Sequence, residues 1–128
     1  MRLLLDTHAF LWAVLEPGKL SRKVRARLED TATVIVVSSA SAWEIATKYR
    51  LGKLPSAATL VGGYAQAIAG LGAEELTISS AHVLKAGSWT ANHRDPFDRI
   101  LAAQADLEGL PLVTGDPVIA HFAVQTFW

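Results

Sequence analysis

Four acidic residues occupy positions where α/β proteins commonly bind ligands. Asp6 and Asp116 each end an apolar, strand-like segment, whereas Glu44 and Asp98 each lie in the first turn of a helix-like segment. In a parallel sheet these junctions meet at one edge, at the carboxyl ends of the strands. Four carboxylates gathered there would repel one another unless a cation neutralised them. The spacing therefore predicts a divalent metal site and phosphate chemistry.

The metal that suits such a site is Mg²⁺ or Mn²⁺. Both are hard cations that bind carboxylate oxygens, water and the phosphate groups of a substrate. A metal of this kind makes hydroxide available near neutral pH and stabilises the charge that builds on a phosphodiester. We predict Mg²⁺ (or Mn²⁺) as the cofactor.

Each acid also has a purely structural interpretation. Asp95 and Asp98 match the N-cap and third position of a helix, and Ser41 with Glu44 matches a capping box. Asp6 would cap the helix that follows it, and the fourth acid matches an ordinary turn. Capping explains each position singly. It does not require that all four junctions lie on one side of the sheet, so the set favours the metal site.

The chain alternates strand-like and helix-like segments, which predicts a parallel sheet with helices on both faces. We assign strands to residues 2–5, 34–37, 75–78, 112–114 and 124–126. We assign helices to residues 8–15, 22–30, 42–49, 57–70, 81–87 and 96–108, and a short helical turn to 117–122. No linker or repeat interrupts this pattern, so we expect one domain over residues 1–128.

Composition narrows the setting. The 128 residues are 51% hydrophobic, which is ample for a core, and contain no cysteine, which excludes disulfides and thiolate metal sites. The short apolar run after Met1 does not form a signal peptide, and no stretch approaches the roughly 18 apolar residues of a membrane helix. We expect a cytoplasmic protein without a membrane partner.

The formal net charge is zero, which argues against a large, purely electrostatic nucleic-acid binder. Positive charge is nevertheless concentrated in two runs, at residues 22–27 and 48–53. Each run is either a solvated helix face or a patch that contacts phosphates beside the acidic centre.

Other catalytic motifs are missing from the sequence. It has no Walker-type phosphate loop, and its serines lack the strained elbow of serine hydrolases. Of the four histidines, His8 and His93 lie nearest to the acids in sequence. We interpret the tryptophans as core or interface residues rather than base-stacking platforms. They are Trp12, Trp43, Trp89 and Trp128.

Four motifs together resemble the PIN-domain family, and within it the VapC-type ribonuclease toxins of bacterial toxin–antitoxin pairs. They are Leu-Leu-Asp-Thr-His at 4–8, Trp-Glu-Ile at 43–45, the His-Arg-Asp-Pro-Phe-Asp-Arg block with Ile-Leu-Ala-Ala-Gln-Ala at 93–105, and Thr-Gly-Asp at 114–116. The resemblance covers the whole chain in order, and the Asp-Pro-Phe-Asp-Arg block is its most specific part.

The resemblance implies a three-layer α/β/α sandwich and a Mg²⁺- or Mn²⁺-dependent endoribonuclease that forms a homodimer. It carries catalytic and metal-binding roles over to Asp6, Glu44, Asp98 and Asp116. The fourth of these positions varies within the family.

Further residues enter through the same resemblance. Thr7 and Ser41 would hold carboxylates or a metal-bound water through their hydroxyls, and Asp95 would assist. Arg99 would contact RNA or a partner.

The family also implies a small antitoxin protein that covers an apolar groove on the helices at residues 42–70. That groove would include Trp43, Ile45, Leu51, Leu60 and Val61. An arginine of the antitoxin would compete with metal for the carboxylates.

Three alternatives differ in function. The chain is either the toxin nuclease, a PIN-like nuclease of RNA maturation or decay outside a toxin pair, or an inactive PIN-like binding module. A receiver domain is disfavoured because residues 109–128 contain no lysine, and a haloacid-dehalogenase-like enzyme because His8 stands where its second aspartate is needed.

Overall fold

A five-stranded parallel sheet forms the centre of the protein. The computed structural model describes residues 1–90 and 92–128, without the side chain of residue 120. The strands are β1 (Arg2–Leu5), β2 (Val34–Ser38), β3 (Glu74–Leu76), β4 (Leu112–Val113) and β5 (Thr126–Phe127). Their order across the sheet is β3-β2-β1-β4-β5, and every neighbouring pair is parallel.

Helices cover both faces of this sheet. The helices are α1 (Thr7–Leu15), α2 (Arg22–Glu29), α3 (Ser39–Arg50), α4 (Ala58–Gly62), α5 (Tyr64–Leu71), α6 (Ser80–Ser88) and α7 (Pro96–Glu108). Short 3₁₀ segments lie at Pro17–Lys19, Pro55–Ala57 and Pro117–Phe122. None of the helices formed by the described residues is long and apolar enough to cross a membrane.

The strand at the centre shows why two helical layers are needed. Successive side chains of a strand point to opposite faces. Leu3 and Leu5 accordingly pack into one buried cluster with Phe10 of α1, whereas Leu4 packs into a second cluster with Leu101 of α7. All three leucines of β1 are fully buried. The predicted α/β/α sandwich around a parallel sheet is confirmed.

The start of α3 corrects the predicted capping box. Ser38 is the N-cap, with its Oγ accepting from the Ala40 amide at 3.0 Å, and the helix begins at Ser39. Ser41 therefore lies inside the helix, and Glu44 lies in its second turn instead of its first. The chain passes from β2 into α3 without a loop, so the serine that ends the strand also caps the helix. The later serine matched the sequence motif only.

The predicted helix at residues 57–70 is two helices. Gly63 separates α4 from α5, and a Cβ at this glycine would lie 3.1 Å from the Thr59 carbonyl oxygen. The helix-forming alanines on both sides made the segment look continuous. The end strands also shift: β3 is Glu74–Leu76 instead of 75–78, and β5 is Thr126–Phe127 instead of 124–126.

The predicted apolar groove is wrong in part. Ile45 and Leu60 are only 1% and 2% exposed, because both pack into the core beneath α3 and α4. Trp43, Leu51 and Val61 are exposed, so only these three remain available to a partner.

A histidine closes the amino end of α6. Ser79 is the N-cap, and its amide donates to His82 Nδ1 at 2.9 Å while the His82 amide donates back to Ser79 Oγ at 3.3 Å. Because Nδ1 accepts, Nε2 carries the proton and donates to Glu108 Oε1 at 2.9 Å. The buried ring thus joins α6 to the end of α7.

Replacing this histidine tests the cap. We expect His82→Ala to lower the free energy of unfolding by about 1–2 kcal/mol, because the amide of Ser79 loses its partner and a buried ring is removed. His82→Gln should recover more than about half of the stability that His82→Ala loses, since glutamine fills the same position in ordinary capping boxes. Urea denaturation of the three proteins measures both values. Equal losses in the two variants would show that ring packing, not capping, is what matters.

Candidate metal centre

A small cavity of about 130 Å³ opens at the carboxyl edge of the sheet, and all four predicted acids line it. The lining residues are Asp6, Thr7, His8, Glu44, Lys48, Asp95, Asp98, Asp116 and Ile119. They come from the junctions after β1, β2 and β4 and from the start of α7. The fold therefore brings together residues that lie more than a hundred positions apart in the chain.

Asp6 is one of the two buried acids of the cavity. It is 6% exposed and caps α1, with Oδ1 accepting from the Ala9 amide at 2.7 Å. Burial raises the pKa of this carboxyl above its ordinary value, against the lowering effects of the Thr114 hydroxyl and the Ala9 amide. The nearby charge of Glu44 raises the pKa of Asp6 further. The cap and the candidate ligand are therefore the same side chain.

Glu44 has one oxygen that the described residues leave without a hydrogen-bond partner. Its Oε2 accepts from the ammonium of Lys48, one turn later on α3. Its Oε1 is buried and unpaired. Because most buried polar atoms find a partner, an unpaired carboxylate oxygen that faces an acidic cavity points to a cation or ordered water.

Asp98 stands in the first turn of α7. Its Oδ2 contacts His93 Nε2 at 2.7 Å, and the side chain is 19% exposed. Burial raises the pKa of Asp98 to about 6, against the hydrogen bond from His93, and the charges of Asp95 and Glu44 raise it too. Asp95 caps the helix as predicted, accepting from the Phe97 amide at 2.9 Å.

Asp116 lies at the rim of the cavity and is exposed. Its Oδ1 accepts from the Val118 amide at 2.9 Å, and its own amide donates to Thr114 Oγ1 at 3.1 Å. Asp116 therefore forms the predicted turn and also lies beside the other acids.

Two hydroxyls brace the cavity from within. Thr7 Oγ1 and Ser41 Oγ are 3.1 Å apart, and both residues are buried. This contact links the first turn of α1 to α3, so it fixes the relative position of the two helices that carry Asp6 and Glu44.

Arg99 has a structural position instead of an RNA-facing one. Its guanidinium donates to the backbone carbonyls of Ala86, Trp89 and His93. It thereby ties the end of α6 to the segment before α7, and so supports the histidine that contacts Asp98.

Lys48 is the residue that the sequence interpretation missed. It lines the cavity and pairs with Glu44, whereas we had treated it as part of a basic surface run. Burial lowers the pKa of Lys48, but the hydrogen bond and charge of Glu44 and the charges of Asp95 and Asp98 raise it by more. The four-residue spacing from Glu44 is the signal that would have predicted this pair.

The donor set fits a hard divalent cation. Every acidic donor offers oxygen, as Mg²⁺ and Mn²⁺ prefer, and the lysine ammonium shows that the cavity accepts positive charge. In the arrangement of the described side chains, no three acidic or histidine residues are grouped closely enough to hold a metal ion. Lys48 and His93 instead occupy one oxygen each of Glu44 and Asp98.

Comparison with known proteins agrees with this geometry. Residues 3–125 match the family model of the PIN domain, and the chain belongs to that family. A 60-residue segment is 38% identical to Ribonuclease VapC16 of Mycobacterium tuberculosis. That segment is 47% of this chain and 43% of the relative, so the match spans less than half of either protein.

The buried carboxylates predict a pH-dependent stability. A carboxyl with a raised pKa binds its proton more tightly when folded, so its contribution to stability is full below its ordinary pKa of 3.8 and is lost as pH rises through about 6. We expect metal-free protein to lose thermal stability between about pH 4 and about pH 6.5, and Asp98→Asn to lose less. Asp106→Asn, on the surface of the same helix, is the matched control. Parallel pH profiles for wild type and Asp98→Asn would contradict this account.

Lys48 should compete with a metal for the cavity. Removing its charge in Lys48→Met is expected to tighten Mn²⁺ binding several-fold, because one positive charge no longer lies among the carboxylates. The same variant should be less stable than wild type in EDTA, since Glu44 is then buried without a partner. Calorimetric titration and thermal unfolding measure the two effects, with the exposed Lys53→Met as control. Unchanged Mn²⁺ affinity would place the metal elsewhere.

Proposed function

We propose that this chain is a Mg²⁺- or Mn²⁺-dependent endoribonuclease, the toxin of a type II toxin–antitoxin pair, with residues 1–128 acting as one domain. The observation that carries the proposal is the unpaired, buried Oε1 of Glu44, a residue of a cavity lined by four further acids. Membership of the PIN-domain family and the similarity to a protein named as a ribonuclease support it.

The acids have distinct roles in this proposal. Asp6 and Asp98 would be the principal metal ligands, and Asp98 would offer the carboxylate oxygen that His93 does not contact. Glu44 binds the metal through Oε1, directly or through a water molecule. Asp116, at the rim, completes the catalytic set from the side that faces solvent.

The surrounding side chains prepare these ligands. The Ala9 amide and the Thr114 hydroxyl hold Asp6, and His93 orients Asp98. The bound metal would supply hydroxide near neutral pH and stabilise the charge on the phosphodiester. Lys48 and His93 limit carboxylate repulsion when the metal is absent.

The substrate would be single-stranded or loop RNA, since bases in such RNA are accessible to a protein. In-line attack by water predicts products with 5′-phosphate and 3′-hydroxyl ends. An antitoxin would cover the surface that includes Trp43, Leu51 and Val61 and would place a positive charge near the acids. A homodimer is part of the same proposal.

Cleavage by the purified protein, freed of any antitoxin, tests the nuclease function. With Mn²⁺, we expect it to cut RNA from a total-RNA or transfer-RNA pool, and EDTA to abolish cutting. Asp98→Asn should reduce the rate by about 100-fold or more, because it removes a metal ligand, whereas Asp106→Asn should match wild type. Fragment ends are then determined by their reactivity toward ligase and phosphatase.

Two results would contradict the proposal. Cutting that persists in EDTA, or in Asp98→Asn at the wild-type rate, would assign the activity to other residues or to a contaminant. Fragments with 2′,3′-cyclic phosphate ends would exclude direct attack by water. The toxin assignment is tested separately by co-expression with the neighbouring reading frame, whose product should co-purify and suppress cutting.

A further inference from the structure

A second, larger cavity of about 400 Å³ adjoins the acidic one. Its lining residues are Asp6, His8, Trp12, Lys19, Gly115, Asp116 and Trp128. Three of these, Asp6, His8 and Asp116, also line the acidic cavity, so the two spaces share a wall. A polymeric ligand that binds at the acidic cavity will therefore also run beside this second cavity. Its size lies within the range of small-molecule binding pockets.

One wall of this cavity is a row of three rings. The centroids of His8 and Trp12 are 5.7 Å apart, and those of Trp12 and Trp128 are 5.9 Å apart with the planes inclined by 59°. Rings at these separations are in mutual contact, so no further ring fits between them. A planar ligand would instead stack on a ring face that is open to the cavity.

The indole of Trp128 is held in place by the backbone. A Cβ at Gly115 would lie 3.0 Å from Trp128 Cε2, so glycine at this position allows the ring to lie against the chain. The Thr114 amide donates to the Phe127 carbonyl at 3.1 Å and anchors the residue before it. The residue is nevertheless 36% exposed, which is a large exposure for a tryptophan beside a charged site.

Positive charge also lies at this cavity. Lys19 lines the cavity, and its contact with Glu16 at 3.3 Å joins two half-exposed side chains, which makes a weak ion pair. Lys23 Nζ lies 4.4 Å from the ring centroid of Phe127, next to Trp128 in the chain. The acids, the rings and Lys19 thus line the same cavity.

We propose that this cavity is a nucleobase subsite, an inference that rests on the nuclease function proposed above. The base of a nucleotide next to the cleaved phosphodiester stacks on the indole of Trp128 with its edge against Trp12, and Lys19 faces the phosphate beyond it. Aromatic faces bind single-stranded nucleic acid in this way because every base has a π-face. The subsite thereby sets the position of the RNA strand relative to the acids.

The first test is binding without cleavage. The four tryptophans give four indole N–H signals in a ¹H–¹⁵N spectrum, which single Trp→Phe variants assign. With EDTA present, adenosine 5′-monophosphate should shift the signals of Trp12 and Trp128 and leave those of Trp43 and Trp89 unchanged. Ribose 5-phosphate, which lacks the base, should shift none of them. An equal response of the exposed Trp43 indole, or equal shifts with ribose 5-phosphate, would overturn the subsite.

The second test is kinetic and uses an RNA oligonucleotide that contains a cleavage site mapped with wild-type protein. Trp128→Ala and Trp128→Leu should raise KM about tenfold with little change in kcat, because stacking is lost equally from bound substrate and transition state. Trp128→Phe keeps a ring and should stay within about threefold of wild type. An abasic nucleotide at the neighbouring position should raise the wild-type KM at least to that of Trp128→Ala and should raise the KM of the variant by a smaller factor.

The outcomes separate the two proposals. Metal-dependent cutting with no effect of Trp128→Ala or of any abasic position overturns the subsite and leaves the nuclease intact. If adenosine 5′-monophosphate shifts the signals of Trp12 and Trp128 but no RNA is cut, the nuclease proposal is overturned and the nucleotide site stands. If the protein neither cuts RNA nor shows nucleotide-induced shifts, both proposals are overturned. The abasic substitution leaves the protein unaltered, so misfolding of a variant does not imitate its effect.

Discussion

The repulsion among carboxylates at one sheet edge is the constraint on which the site depends. Asp6, Glu44 and Asp98 are buried or nearly so, and burial raises the pKa of the first and the last. Ionised acids in such a place destabilise the fold unless each is compensated. The chain compensates them locally, with a helix cap at Asp6, an ammonium at Glu44 and an imidazole at Asp98. The contacts at Glu44 and Asp98 each involve only one carboxylate oxygen and leave the other for a metal.

Sheet topology explains why this edge holds the acids. The chain lays down β1, β2 and β3 in one direction and then adds β4 and β5 on the opposite side of β1. The connections after β1 and β4 therefore diverge, and a crevice opens where the order reverses. Asp6 follows β1 and Asp116 follows β4, so these two acids flank the crevice. The rings of Trp12 and Trp128 line the same crevice, from α1 and from the chain after β5.

Sequence patterns predicted the sheet and the gathering of acids but not the local details. β-branched and leucine runs marked the central strands, because burial on both faces leaves no polar alternation. The predicted start of α3 was wrong since several serines compete as caps. Ser38 becomes the cap because it is the residue that ends β2. Ile45 and Leu60 were assigned to a partner surface because an amphipathic helix does not reveal from its own sequence which apolar stripe faces the core. Lys48 was overlooked because charge runs were treated as surface.

The tryptophans show a different limit of sequence patterns. Their type predicts large apolar contacts, and Trp89, packed edge-on against Phe122 in the second core cluster, meets that expectation. Trp128 keeps a third of its surface exposed beside a cluster of charges, although a smaller residue would expose less apolar area there. Gly115 accommodates that ring at the cost of backbone freedom. The proposed contact with a planar ligand beside the acids accounts for an exposed tryptophan at this place and for the glycine that its ring lies against. Exposed rings and compensated carboxylates thus lie at the same edge of the sheet. At this edge the proposed ligands, and not the packing of the core, account for the residue types.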